Sequence, residues 1–179
     1  MKASQALNVL GEFERKKVSL FTKRDLALVF NETNDTLDST VKRLSKSGLL
    51  LKISKGLYAN RRAINQDGNA LYRIAAYLRA GEINYLSCES VLCNLSIISQ
   101  QMLDRITVMT TGRTGTFSTP LGIVEFTHTK RSPISIIKDT YKPNDFPIRM
   151  ADKHVAVRDL KRIGRNVNMI DWEEFNEAD

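Results

Sequence analysis

The chain has 179 residues, 27 Lys and Arg against 20 Asp and Glu, a formal charge of +7, and 42% hydrophobic side chains. This composition is globular, excludes a disordered or collagen-like chain, and suits one domain or two small ones, each long enough to bury a core. The longest apolar run, residues 26–30, falls well short of the ~18 residues of a membrane span, the N-terminus lacks an apolar signal region, and Cys88 and Cys93 make no disulfide framework, so a soluble cytoplasmic protein with no membrane partner is expected.

Three helical patterns occupy the first fifty residues. The first, residues 4–14, follows a Ser4 cap and places Leu7, Leu10 and Phe13 at helical spacing. The second opens at Thr22-Lys23-Arg24-Asp25, where a threonine and an acid three residues on can satisfy each other's orphan amides. Its apolar face is Leu26, Val29 and Phe30. After the turn Asn31-Glu32-Thr33, Asn34 is the expected cap of a third helix over residues 35–47, with Leu37, Val41 and Leu44 facing inward. At 100° per residue the opposite face carries Asp35, Thr36, Ser39, Lys42, Arg43 and Lys46, and Gly48 ends the helix. Two short apolar runs, 49–53 and 57–59, flank Ser54-Lys55-Gly56 and read as a β-hairpin. Three helices and a hairpin are the winged helix-turn-helix plan, predicted for residues 1–62.

Polar residues 60–69 read as a linker. Beyond it a helix is predicted over 70–79, built on Leu71, Ile74, Ala75 and Leu78, and a second one from a Ser87 cap through about residue 95. Strands then follow around Ile106 and Val108 and around Ile123, Val124 and Phe126, joined by a loop over 112–120. Pro133 precedes an expected third strand over 134–137, Pro143 and Pro147 mark a loop, and residues 151–163 read as helix. The acidic tail over 171–179 carries Trp172 and Phe175 and reads as a solvated helix end. The fold class is therefore α+β, a winged helix-turn-helix followed by a small α+β domain over 63–179.

The charge is unevenly placed. Residues 1–62 hold thirteen basic and six acidic side chains, the whole excess of +7, whereas residues 63–179 hold fourteen of each. Such asymmetry points to a polyanion-binding module joined to a neutral one. In the winged plan the front of the third helix enters the major groove, so Thr36 and Ser39 are candidate base contacts, then Arg43, with Asp35 able to accept from a cytosine amine. Lys42 and Lys46 sit towards the DNA backbone. Lys23, Arg24, Lys55, Arg61 and Arg62 on flanking elements suit phosphates, which position without specifying. The bland alternative is a solvated helix face on a protein-binding winged domain.

Elsewhere the chemistry is sparse. Gly112-Arg113-Thr114-Gly115-Thr116 lacks the Lys-Ser/Thr of a phosphate loop and reads as a hairpin turn. With His128 and His154 the only histidines, no metal set assembles, and the cysteines read as buried thiols. Ser87, His128 and Asp159 have the residue types of a triad without spacing that supports one. No cofactor and no enzymatic activity are expected.

Several segments together resemble the AbiEi family of antitoxins. Lys55-Gly56-Leu57-Tyr58-Ala59 is similar to that family's glycine–tyrosine wing end. In the second part Tyr85-Leu86-Ser87-Cys88-Glu89-Ser90-Val91-Leu92, Thr107-Val108-Met109-Thr110-Thr111-Gly112-Arg113, and Phe117-Ser118-Thr119-Pro120-Leu121-Gly122 through Phe126 and His128 resemble it in order and spacing. Ala151-Asp152-Lys153-His154-Val155-Ala156-Val157-Arg158-Asp159-Leu160 looks like a degenerate form of its closing helix motif, with Asp152 and His154 departing from the pattern. The resemblance implies a type IV toxin–antitoxin or abortive-infection antitoxin. Its winged domain would bind inverted repeats in operator DNA and repress its own operon. Its second domain would counter a cognate nucleotidyltransferase-like toxin, a role expected of a strand-and-loop surface that includes Thr111 and Arg113. A one-component winged-helix regulator, whose second domain senses a ligand or mediates oligomerisation, remains the alternative.

Overall fold

The computed structural model describes residues 1–99 and 104–178, and the chain is mixed α+β. It divides into two compact units, Met1–Ala70 and Leu71–Asp179.

The first unit runs α1 (Ala3–Arg15), β1 (Leu20–Thr22), α2 (Lys23–Phe30), α3 (Asn34–Lys46), β2 (Leu50–Ser54), β3 (Leu57–Asn60) and α4 (Arg61–Asn65). The Thr22 box is formed as the sequence predicts: Asp25 N–H donates to Thr22 Oγ1 at 3.1 Å, and Thr22 N–H donates to Asp25 Oδ2 at 2.7 Å. At the other helix starts the caps shift. Lys2 precedes α1, which places Ser4 inside the helix, and Thr33 precedes α3, with Asn34 taking a left-handed backbone at φ +49°. Ala6, Leu10, Phe21, Leu26, Phe30, Leu37, Val41, Leu44 and Leu50 form one buried cluster, whereas Leu7, expected inside, is half exposed.

The hairpin forms with Gly56 at φ +80°, a conformation that glycine adopts without steric cost. A third strand joins it. β1 pairs antiparallel with β3 (Phe21↔Tyr58), giving the order β1-β3-β2. Three residues are too few to show an alternation, which is why periodicity alone does not reveal this strand. Lys23 N–H donates to the Gly56 carbonyl at 2.9 Å, tying the hairpin turn to the start of α2. The segment expected as a linker contains α4, capped by Asn60 and anchored by fully buried Ile64, so the first unit extends to Ala70. Including Asp67, it holds thirteen basic and seven acidic side chains, and the second unit holds fourteen and thirteen.

The second unit contains α5 (Ala70–Leu78), β4 (Asn84–Leu86), α6 (Glu89–Asn94), β5 (Arg105–Thr110), β6 (Gly115–Thr119), β7 (Gly122–His128), α7 (Pro133–Asp139), β8 (Thr140–Tyr141), β9 (Arg149–Ala151), α8 (Lys153–Ile163), a 3-10 turn (Val167–Met169) and α9 (Trp172–Glu177). The strands form one mixed sheet, β6-β7-β5-β4-β9-β8, in which β5 runs parallel to β7 and β4 parallel to β9.

Three expectations are corrected here. The loop over 112–120 contains β6, an edge strand whose one large apolar side chain is Phe117. Because β6 pairs with β7 and not with β5, residues 111–114 are a crossover to the sheet edge, not a hairpin turn, and Gly115 and Thr116 already belong to β6. Residues 134–137 are helical: Ser132 Oγ accepts from Ser135 N–H at 3.2 Å and Pro133 occupies the first turn, where its missing N–H costs nothing. Ser87 is no cap. It follows β4 directly, its hydroxyl donating to Asp159, and Cys88 is the residue that precedes α6. Gly122 opens β7 at φ +136°, where a Cβ would lie 2.6 Å from the Asp104 carbonyl oxygen, so only glycine fits.

Candidate functional site

α3 buries Leu37, Thr40, Val41 and Leu44. Asp35, Thr36, Ser39, Lys42, Arg43 and Lys46 are all exposed and share the opposite face. Asp35 in the first turn and Lys46 in the last complement the helix dipole, so this face runs from acid and hydroxyl to cation along the axis. Of this face Arg43 reaches a partner, and Lys23 of α2 reaches one on α3. Arg43 Nη2 donates to the Met1 carbonyl and stands 3.5 Å from Thr40 Oγ1. Lys23 ion-pairs with Asp38 at 2.6 Å across a half-exposed gap; that hydrogen bond raises its pKa against a smaller desolvation effect.

Arg24 is exposed beside Lys23, and Lys55 is exposed at the hairpin turn. Arg61 and Arg62 lie on α4 instead of in a linker, and Arg62 Nε pairs with Glu14 at 3.0 Å. Lys52, which the sequence reading did not single out, is exposed on β2 opposite Tyr58. Its signal was available, since it is the lone charge in the otherwise apolar run 49–53. The α3 stripe, the hairpin turn and the start of α2 thus belong to one unit, with the Lys23–Gly56 hydrogen bond fixing the last two together.

In the second unit Thr111 is occupied structurally. Its Oγ1 donates to Glu82 Oε2 at 2.6 Å and accepts from Ile83 N–H at 3.1 Å, holding the connection before β4 against the end of β5. Arg113 is exposed, and its carbonyl accepts from Arg79 Nη2 at 3.1 Å. The Arg79 guanidinium lies over the Phe117 and Phe126 rings at 5.1 and 5.3 Å.

Two buried polar networks were not foreseen. Glu89, 2% exposed, accepts from Arg165 Nε at 2.7 Å and Nη2 at 3.1 Å and from Asn166 Nδ2 at 2.9 Å, and Arg165 Nη1 also reaches Glu125. Burial favours the neutral form of Glu89, but the Arg165 and Asn166 contacts outweigh it and hold the carboxyl below its ordinary value. The second network centres on Asp159, 1% exposed, whose Oδ2 accepts from Tyr85 OH at 2.9 Å and Ser87 Oγ at 2.8 Å. Burial, then the Asp159 charge, pushes the Tyr85 phenol up. The sequence held a signal for this one: Asp159 sits among Val155, Ala156 and Leu160 on the buried face of α8.

The triad types do not assemble. Ser87 meets Asp159, but His128 Nδ1 contacts the Gly112 carbonyl at 2.8 Å. Cys88 sits at the strand-to-helix turn with φ +54° and ψ −137°, a strained backbone. Its thiol is fully buried, and burial together with Asp159 and Glu89 pushes its pKa up, the opposite of an activated nucleophile. Cys93 is half-buried, and the two cysteines are not joined by a disulfide.

A cavity of about 330 Å³ opens between the end of α5, the 80–83 turn and the 142–149 segment, with Lys142 and Arg149 in its wall. No helix among the described residues is long and apolar enough to cross a membrane. In comparisons with protein-family models, curated proteins and solved structures, nothing matches the chain.

Proposed function

We propose that the first unit is a winged helix-turn-helix domain that binds double-stranded operator DNA, and that the chain is an AbiEi-like antitoxin. The observation that carries the first half is the exposed α3 face of Thr36, Ser39, Lys42, Arg43 and Lys46, within the unit that holds most of the chain's positive excess. In this reading α3 enters the major groove, with Thr36, Ser39 and Arg43 towards base edges and Asp35 accepting from a cytosine amine. Lys42, Lys46, Lys23, Arg24, Lys55, Arg61 and Arg62 take phosphates, and Lys52 joins them on the hairpin strand. The order α1-β1-α2-α3-β2-β3, with β1 closing the hairpin into a three-stranded sheet, supports the winged plan.

The antitoxin half rests on the resemblance of the segments around Tyr85, Thr107, Phe117 and Ala151. The second unit counters a nucleotidyltransferase-like toxin, and the protein represses its own operon through inverted repeats. Arg113, exposed on its crossover, remains a candidate for that role. Thr111 acts there only through the loop geometry it holds, since its hydroxyl is engaged by Glu82 and Ile83. A second reading, a ligand-sensing one-component regulator, is favoured by the cavity beside Lys142 and Arg149.

The test has two arms. Fluorescence anisotropy of the full chain against a labelled duplex from upstream of its gene should show tight binding that weakens steeply with salt. Weak, salt-insensitive binding would remove the DNA reading. Growth under induced expression of the neighbouring open reading frame should be restored by the full chain and not by Arg113→Ala; a toxic neighbour that the full chain fails to rescue would leave the regulator alone.

A further inference from the structure

The near-neutral second unit has two surfaces of opposite character. On α7, Ile134 is 81% exposed and Ile137 is more than half exposed, and so is Tyr141 on β8, the outermost strand at its end of the sheet. Single exposed apolar residues are ordinary, but three in close succession at a sheet edge make a ridge that folded proteins cover. Lys130, Lys138 and Lys142 flank them in the chain and are exposed as well. The one acid of this stretch, Asp139, is taken by Arg131 and Arg158, and Lys142 Nζ donates to a neutral oxygen, the Pro147 carbonyl, at 2.6 Å.

The opposite surface is α9. Asp171 caps it, accepting from the Glu173 and Glu174 N–H groups at 2.9 and 3.1 Å. Its aromatic side chains are held on α8: the Phe175 ring meets the His154 ring at 5.1 Å, and the Lys161 ammonium stands 4.9 Å from the Trp172 ring centre. Lys153 donates to the Ala178 carbonyl at the end of the helix. Glu173, Glu174 and Glu177 remain exposed, and Trp172 stays nearly half exposed beside them. Fastened to α8 in this way, α9 leaves the α7 ridge of its own chain uncovered. Three lysines flanking an aliphatic ridge and three glutamates beside an exposed indole match in number and oppose in sign. Each pairs an apolar centre with a charged rim, which is how protein interfaces are built.

We infer that the second unit docks on a second copy of the chain, α9 of one molecule lying on the α7–β8 ridge of the other. A two-fold pair uses both surfaces of each molecule and closes without leaving either free. The inference stands whether or not the first unit binds DNA, because every residue it uses belongs to the second.

The test is sedimentation velocity of the full chain from ~1 μM to ~500 μM. A concentration-dependent shift from monomer to dimer is expected, and added salt should weaken it. Ile134→Ser, Lys138→Glu and Glu177→Lys all change exposed side chains, and the last places a cation at a helix C-terminus, where the dipole favours it. Each should weaken association at least about tenfold with an unchanged far-UV circular dichroism spectrum. Mixing decides the occupant. Lys138→Glu and Glu177→Lys, each impaired alone, should associate when combined, because one retains an intact α9, the other an intact ridge, and the reversed charges oppose each other at the second contact. A chain that stays monomeric throughout overturns the inference, including one whose ridge binds anionic phospholipid vesicles instead. So does association that none of the three variants moves, or a pair of charge variants that does not associate on mixing.

Discussion

The two units carry nearly the same number of basic side chains and use them in opposite ways. In the first, the cations of α3 and the hairpin turn are exposed, and the basic side chains of the Lys23–Asp38 and Arg62–Glu14 pairs remain about half or more exposed. In the second, arginines converge on carboxylates. Arg165 spans Glu89 and Glu125, Arg105 joins Glu125, and Arg131 and Arg158 converge on Asp139. The near-neutral second unit thus pairs several of its arginines with its carboxylates, and the positive first unit leaves the cations of α3 and the hairpin turn exposed. Net charge locates a binding face only when the pairing is known as well.

The sharpest way to break this contrast is to remove a paired arginine. Arg165→Ala leaves Glu89 buried without its bidentate partner, and a loss of about 3 kcal/mol in unfolding free energy is expected. Trp172, the single tryptophan, lies in α9 of the second unit, so its fluorescence during urea unfolding reports on that unit. A change below ~1 kcal/mol would make the network an ordinary surface contact. The same network has a signed pH dependence. Because Glu89 is held below its ordinary value, its stabilisation is present above the usual carboxylate range and is lost as pH falls through the depressed folded value. Glu89→Gln should thus be less stable than the parent at neutral pH, and the gap should close on acidification. A gap constant with pH would show that the charge is not what stabilises.

Next in size are the exposed cations. Arg43→Ala should cost about 1–3 kcal/mol in operator affinity and relax selectivity at one base pair, and Lys42→Ala should weaken all duplexes and lower the salt slope by about one. Arg105→Ala, in the second unit, should leave DNA affinity unchanged. Equal losses from Lys42→Ala and Arg105→Ala would end the distinction between the units.

The same contrast explains what the sequence could reveal. The elements of the first unit are amphipathic helices with solvent on one side, so Leu37, Val41 and Leu44 fall at helical spacing and the outer face of α3 can be read directly. What stays hidden there is β1, only three residues long, and α4, whose single buried residue Ile64 sits in a polar segment. The second unit is a mixed sheet, and its order depends on pairings distant in sequence. β4 is only three residues long and abuts a helical pattern; β6 is a polar edge; and Pro133-Ile134-Ser135-Ile136-Ile137 fits strand or helix until the Ser132 cap and Pro133 decide it. Glu89 and Asp159 are received by partners about seventy residues away; the apolar face of α8 signals the burial of Asp159, but no local pattern names either set of partners. The cavity is assembled in the same way from three separate stretches.

Cys88 offers a probe of burial in the second unit. With its thiol enclosed and pushed up by burial and by Asp159, it should stay unmodified by a thiol reagent in the native protein and react once urea unfolds the unit. Modification of Cys88 at the native rate of an exposed thiol would mean that the strained turn opens readily. Cys93→Ser isolates the signal.

The smallest expected effects compare two helix starts. Thr22 and Asp25 exchange reciprocal backbone bonds, a third bond links their side chains at 2.7 Å, and Thr22 also pairs with Leu57 in the sheet. Ser132 makes one cap bond for α7, a seven-residue helix with only Ile136 buried and Ile134 and Ile137 exposed. Both are caps by residue type, and the typical penalty for replacing either by alanine is ~1 kcal/mol. The structure separates them. Thr22→Ala orphans the Asp25 amide at the junction of β1, α2 and the hairpin turn, so its cost should reach the upper part of the range, about 2 kcal/mol. Ser132→Ala frees an amide that water can reach, so about 0.5 kcal/mol is expected. Far-UV circular dichroism during thermal unfolding, compared with Trp172 fluorescence, assigns each loss to its unit. If Ser132→Ala proved the costlier, solvent access to the freed amide would not be what separates the two caps.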